Sequence, residues 1–485
     1  MSVVLKVDNF SYSPETLFQQ HEPARPTVLS DVEKCFLSRI GQTKKTVVVL
    51  VKCGRDFFRN LHGLKEKVPD DAALIAFAPK KTEAIKEEAQ ECFDLIVFYD
   101  DSGNVVKGVN CTDEIQIPLL HVFADELVQL VPKHKLLLIH TEESSCLEMC
   151  RVRERLDLRG VRKNDITRIT QKERVAERAA KCGVPMAKTV FIDFTMDQRK
   201  ERILAKITTK ITHFPMFAKP SMLMGSIGTS KLDTKQDLEA WIAERMNDST
   251  PTGYVVQEFN NGREFSVVTV LLQNGFYVPL AVKYLYDVGN FEAHKTGKPL
   301  ISCIERYENV NADSFPNIGI FVETVIETFK PVHPQILIIQ GFQEKAGTDS
   351  YKLGEMNYRP ASVRVNTTLY SACGISQITA MVLAFLNANY YPKPERSWKP
   401  QILTSIWYFY TDGVLQTHNP LPTKSEIQGK LTAEWHIAPG TKLNTASDCD
   451  HVTVMLLLES ETTEQRDGDL DWIRKNWKPD MTSIY

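Results

Sequence analysis

The stretch Ile338-Ile-Gln-Gly-Phe-Gln-Glu344, a turn around Gly347-Thr-Asp349, and the arm Tyr351-Lys-Leu-Gly-Glu355-Met-Asn357-Tyr-Arg359-Pro360 read together as a β-hairpin. Strand side chains alternate between faces, so Glu355, Asn357 and Arg359 project to one side of the second arm. A turn near 347–350 is expected to bring Glu344 of the first arm beside them. The result is two carboxylates, a carboxamide and a guanidinium on one surface. Hard oxygen ligands of this kind suit Mg²⁺ shared with phosphates, and an Arg fork suits a phosphate or an oxyanion. On composition alone, a solvated hairpin face with a surface ion pair accounts for the same residues equally well.

Working outward, Phe217-Ala-Lys219-Pro220 ends a short apolar run and enters Ser221-Met-Leu-Met-Gly225-Ser226-Ile-Gly228. A Lys at a strand end followed by small residues, whose N–H groups allow close approach, suits a phosphate. Next comes Val255-Val-Gln257-Glu258-Phe259-Asn260-Asn-Gly262-Arg-Glu264-Phe-Ser266, a strand crossing into another strand. A backbone crossover can hydrogen-bond an adenine edge, and a carboxylate can hold ribose hydroxyls. Each segment alone is also compatible with an ordinary loop or strand pair.

The first third of the chain alternates strands and helices. Val47–Val51, Ala73–Phe77, Leu95–Phe98 and Leu136–Ile139 are short apolar runs, with helical patterns at Lys80–Cys92 and Leu119–Leu130. This rhythm predicts a mostly parallel sheet. No Gly-x-Gly-x-x-Gly follows these strands, so the dinucleotide phosphate loop is missing. The charged stretch 151–181 predicts two helices around Gly160, the second started by a Thr170/Glu173 capping box and ended by Gly183. Longer strands follow, with Asn274-Gly275 as a hairpin turn. Pro392, Pro394 and Pro400 mark a linker, after which Ile402–Tyr410 and His451–Leu458 read as β runs.

Composition excludes several classes. The 485 residues, 25% charged and 9% aromatic with a formal net charge of -3, describe a globular chain of two to four domains. That balance gives no footprint for nucleic acid, and no apolar run is long enough for a membrane helix. The start of the chain has no apolar signal core, and the 10 cysteines form no Cys-x-x-Cys pair. The expectation is a cytoplasmic protein with free thiols, Cys146 and Cys150 being two buried thiols on one helix.

The order Lys-Pro…Gly-Ser-x-Gly, then Gln-Glu-Phe-x-x-Gly-x-Glu-Phe-Ser, then Glu…Glu-x-Asn-x-Arg resembles the ATP-grasp superfamily over about 136–385. The branches it is most similar to are biotin carboxylase and the carboxylate–amine ligases, including L-amino acid ligases and carnosine synthase. The resemblance implies a mixed α/β and α+β chain. A Rossmann-like pre-ATP-grasp domain would span 1–165, an ATP-grasp domain 166–392 and a small β-rich C-terminal domain 393–485. It implies ATP and Mg²⁺ (or Mn²⁺) as cofactors, with Glu344, Glu355 and Asn357 as metal ligands. Lys172, Lys219 and Lys283 would meet phosphates, under a loop of Gly225, Ser226 and Gly228. Gln257, Glu258, Phe259 and Asn260 would line the adenine crossover, with Gln257 standing where a Glu often is, and Glu264 would hold the ribose. Arg359 would be the catalytic Arg, with Arg364, Glu292 and His294 on the substrate side.

The chain departs from the pattern in three places. Phe291-Glu292-Ala-His294 is one residue short in spacing, Met222, Leu223 and Met224 stand where glycines are frequent, and Ala361-Ser362-Val363-Arg364 follows Arg359-Pro360. The function the resemblance implies is ligation of a small carboxylate or amino acid to an amine through an acyl phosphate, releasing ADP and phosphate. A homodimer is left open. The alternatives are a nucleotide-binding regulatory or scaffold protein and a carboxylase like biotin carboxylase.

Overall fold

The computed structural model describes residues 28–43, 45–51, 61–80, 90–100, 105–107, 113–197, 199–222, 227–248, 252–310, 313–361, 363–394, 398–446 and 451–482. Thr46–Val51, Ala72–Pro79, Leu95–Tyr99 and Leu136–His140 form the expected parallel sheet, with the first strand between the second and the fourth. The first two of these strands are buried along almost their whole length. Parallel strands covered on both faces require such continuous apolar runs. Helix Pro118–Leu130 buries Leu120, Phe123 and Leu127 on one stripe against this sheet. Of the helix expected over Lys80–Cys92, residues 81–89 lie outside the described residues.

The charged stretch holds three helices rather than two: Cys146–Leu156, Lys163–Thr170 and Lys172–Cys182. The expected Thr170/Glu173 capping box does not form. Thr170 ends a helix, its hydroxyl donating to Ile166 O, and extended Gln171 breaks the chain before the next helix. The Glu173 carboxylate turns instead to the Ser221 hydroxyl on a neighbouring element. Gly183 closes the third helix at φ 74, the left-handed C-terminal geometry that glycine adopts freely. Cys146 and Cys150 are buried free thiols on one helix, as expected.

Two antiparallel sheets follow. A four-stranded one is ordered Thr189–Asp193, Gly253–Glu258, Met216–Pro220, Ser230–Leu232. An eight-stranded one is ordered Tyr351–Asn357, Gln335–Gln343, Arg263–Leu271, Tyr277–Leu285, Leu300–Arg306, Ile402–Phe409, Val452–Ser460, Lys430–Trp435. The last three strands come from beyond the proline-marked linker and continue the large sheet through pairing with Leu300–Arg306. A three-stranded sheet of Gly413–Thr417, Lys442–Leu443 and Asp480–Thr482 stands apart.

The two faces of the large sheet are covered differently. Val267, Leu337, Ile339 and Met356 pack under helix Ile318–Phe329 and the helices of 163–182. Val268, Val270, Ile336 and Ile338 pack under Val363–Cys373 and Gln377–Leu386. These two helices are apolar but bent by 76° and mostly buried, and no single helix among the described residues is long and apolar enough to cross a membrane. Beyond Val268 and Ile338 the same face turns polar, which is where the site lies.

Buried polar bonds join the parallel sheet to the rest. His140, fully buried, reaches the Tyr358 carbonyl through Nε2 at 2.7 Å. Arg153, 1% exposed, donates to Leu138 O at 2.8 and 3.3 Å and to Val161 O at 3.1 Å. Losing these donors strands two buried carbonyls and opens a cavity. Arg153→Ala is therefore expected to lower unfolding free energy by about 3 kcal/mol in urea titrations. A loss under about 1 kcal/mol would show that water replaces the guanidinium there at little cost.

Candidate active site

The site grows from the register of the large sheet. Lys283 stands opposite Ser266, Ser266 opposite Gln340, and Gln340 opposite Glu355, so four cross-strand neighbours make one polar row. Glu264 lies two residues before Ser266 on the same face. The row depends on a bulge: pairing shifts between Gln340 and Gly341, leaving Gly354 without an opposite residue. Gly341 permits this, since a Cβ there would lie 2.7 Å from Lys352 O and 2.8 Å from Phe265 Cζ.

The small sheet supplies the opposite wall. Phe217 and Lys219 alternate onto the face that looks at the row, and Lys172 enters from the start of its helix, Nζ donating to Ser221 O at 3.4 Å. Together these residues enclose a cleft of about 160 Å³. Asn290 and Phe291 cover one side, Phe291 edge-on to Phe217 with centroids 5.2 Å apart.

Electrostatics in the cleft centre on Glu355. Burial pushes its carboxyl up, but the ammonium groups of Lys172 and Lys219, the Arg359 guanidinium and a bond from Asn357 outweigh that and hold it below the usual range. Burial pushes Lys219 down to about 8, against the opposing pull of Glu355. Lys283 is lowered by burial and partly restored by Glu264. Burial raises Glu264, although Asn290 donates to it from its backbone at 3.3 Å and from Nδ2 at 2.7 Å.

The structure thus brings Lys172, Lys219, Glu264, Lys283 and Glu355 together around one cleft. Asn357 is buried beside Glu355. Glu344 does not join them. It lies four residues beyond Gln340, about 13 Å along the strand, where it pairs with Lys352 and Ser350 at the hairpin tip. The residue facing Glu355 across the hairpin is Gln340, because the bulge sets a register the hairpin turn alone does not reveal.

The crossover 257–260 does link the two sheets. Gln257 is buried and donates to Thr189 Oγ1 at 2.7 Å. Glu258 points to Lys188, Nζ to Oε1 at 3.2 Å. Phe259 packs edge-on to Phe217 at 6.0 Å, and Asn260 is half-buried. The substrate-side pair goes elsewhere: Glu292 bonds Lys298 at 2.9 Å on the surface, and His294 is buried against Phe409 with centroids 4.1 Å apart. Helical rotation turns Glu292 away from Asn290, while His294, one turn further along the same helix, reaches Phe409 instead of the cleft.

Arg359 lies outside the main cleft. Its guanidinium pairs with Glu143 at 3.2 Å and lines a second cavity of about 30 Å³ with Cys146, Ile166, Met222 and Tyr358. Gly228 follows the small-residue loop with φ 68. Gly225 and Ser226 lie outside the described residues. Arg364 belongs to helix Val363–Cys373, and its side chain lies outside them too.

Sequence reasoning missed Ser266, Gln340, Asn290, Phe217 and Phe291. Period-two spacing from Glu264 was enough to find Ser266.

No protein-family model matches the chain, and no curated protein matches it. Solved structures do. An L-amino acid ligase from Bacillus licheniformis matches with TM-score 0.59 and 12% identity, covering 88% of this chain and 97% of that one. An ADP complex of N5-carboxyaminoimidazole ribonucleotide synthetase matches with TM-score 0.57 and 12% identity, covering 89% and 97%. A biotin carboxylase from Campylobacter jejuni matches with TM-score 0.57 and 13% identity, covering 90% and 98%. The chain described here has the same multidomain ATP-grasp fold as these structures.

Proposed function

We propose that the chain is an ATP-dependent carboxylate–amine ligase that works through an acyl phosphate and releases ADP and phosphate. The observation that carries this reading is the convergence of Lys172 and Lys219 on the half-buried carboxylate of Glu355, between two sheets of an ATP-grasp fold. Lysines held in a cleft are suited to the β- and γ-phosphates, and the aromatic rings of Phe217 and Phe291 to a base. Glu264, already accepting two bonds from Asn290, is placed to accept from ribose hydroxyls.

Glu355, Asn357 and Gln340 offer one carboxylate and two carboxamide oxygens. That set fits Mg²⁺, which takes one or two carboxylates and completes its shell with water and substrate phosphates. When bound, the ion would neutralise charge on the transferring phosphoryl group. The chain's own residues do the rest. The lysines orient the γ-phosphate toward a carboxylate nucleophile, and the aromatic walls exclude water from the acyl phosphate. Attack by an amine on that acyl phosphate then builds an oxyanion, which a guanidinium such as Arg359 can stabilise once it exchanges Glu143 for substrate.

Incubation with ATP, small carboxylates or amino acids, and amines should release ADP and phosphate only when acid and amine are both supplied. AMP and pyrophosphate as products would reject the acyl-phosphate route. Glu355→Gln should fold normally yet lower turnover about a hundredfold or more, since it removes the one carboxylate on which the cations converge. Full activity in the folded variant would detach the hairpin from the chemistry.

The position of Lys219 gives a pH dependence. Its charged form is the useful one, and its pKa lies near 8. The kcat/KM for ATP should be level below that pH and fall as pH rises through it, by one proton. Lys219→Arg should remove this alkaline limb, because a guanidinium stays charged throughout. An unchanged limb in that variant would assign it to another group.

A further inference from the structure

We infer that this cleft takes the phosphates of an adenine nucleotide without needing a divalent cation, and that Gln340 is the residue that allows it. The inference rests on the nucleotide reading above and adds a property that reading does not contain. Three observations carry it.

The first is the cross-strand row. The position opposite Glu355 holds the uncharged carboxamide of Gln340, and the nearest alternative carboxylate, Glu344, is tied to Lys352 and Ser350 at the hairpin tip. The second is the balance of charge. Among the described residues lining the cleft there are three lysines, Lys172, Lys219 and Lys283, against two carboxylates, Glu264 and Glu355. The third is how those carboxylates are engaged: Glu264 accepts two bonds from Asn290, and Glu355 interacts with Lys172, Lys219 and Arg359.

The physical argument follows from these positions. Two facing carboxylates would repel incoming phosphates until a cation neutralised them. With Gln340 in one of the two positions, that repulsion is halved at its source. The surplus lysine charge then meets the phosphates directly. A cation that does enter is held by one carboxylate and so depends on the nucleotide's own oxygens. Nucleotide docking and metal loading are therefore separable here, metal being required for turnover and not for binding.

The test is calorimetric titration of ADP into the full-length protein, once in excess EDTA and once in excess Mg²⁺. The Kd should differ by less than about threefold between the two conditions. Gln340→Glu should weaken ADP binding in EDTA by about tenfold, with recovery on adding Mg²⁺. ADP binding to the wild-type protein only with Mg²⁺ would overturn the inference and leave the ligase reading standing. Binding in neither condition would overturn both. Equal ADP affinity of folded Gln340→Glu and wild-type protein in EDTA would remove Gln340 from its assigned role. If that variant fails to fold, the two wild-type titrations still decide the main claim.

Discussion

Glu355 is a half-buried carboxylate in the cleft wall, and it stays charged because cations from separate parts of the chain come to it. Burial disfavours the charged form, and the cations around it offset that cost. Lys172 begins a helix, Lys219 ends a strand of the small sheet, and Arg359 follows the strand that carries Glu355. One charge therefore draws groups from the small sheet, the large sheet and the helix between them to one place. The cleft lies where they meet.

The same hairpin also ties the parallel sheet to the site. His140, at the end of that sheet, bonds the Tyr358 carbonyl, while Glu143 holds the Arg359 guanidinium three residues further along. Burial drives the His140 imidazole down to about 3, so it is a neutral hydrogen-bonding group at any ordinary pH. On the ligase reading Arg359 has two alternative partners, Glu143 and a substrate oxyanion, and the contact between domains is part of the catalytic cycle.

Much of this was legible in the sequence, and the reasons are physical. Apolar runs of four or five residues bounded by polar ones announced the parallel strands, and Asn274-Gly275 announced its hairpin, because local chemistry decides both. Lys219 was found from its strand end, Glu355 from period-two spacing and Glu264 from its place after the strand crossover, while Lys172 came from the ATP-grasp resemblance. The register between hairpin arms was not legible. A single bulged residue, Gly354, moves the partner of Glu355 to Gln340, and Glu344 stays at the tip beside Ser350. The break at Gln171 was hidden for the same kind of reason, since Glu173 prefers a tertiary partner, Ser221, to the local cap its spacing offers. Likewise, nothing local says that Ile402–Phe409 will extend the large sheet.

The central claim is that the lysine-lined cleft between the two sheets is where a nucleotide sits. The most direct measurement is a crystal structure of the protein with ADP. The account predicts electron density for the diphosphate against Lys172 and Lys219, the base between Phe217 and the 257–260 crossover, and the ribose near Glu264. Density for ADP elsewhere, with this cleft holding only water, would contradict it.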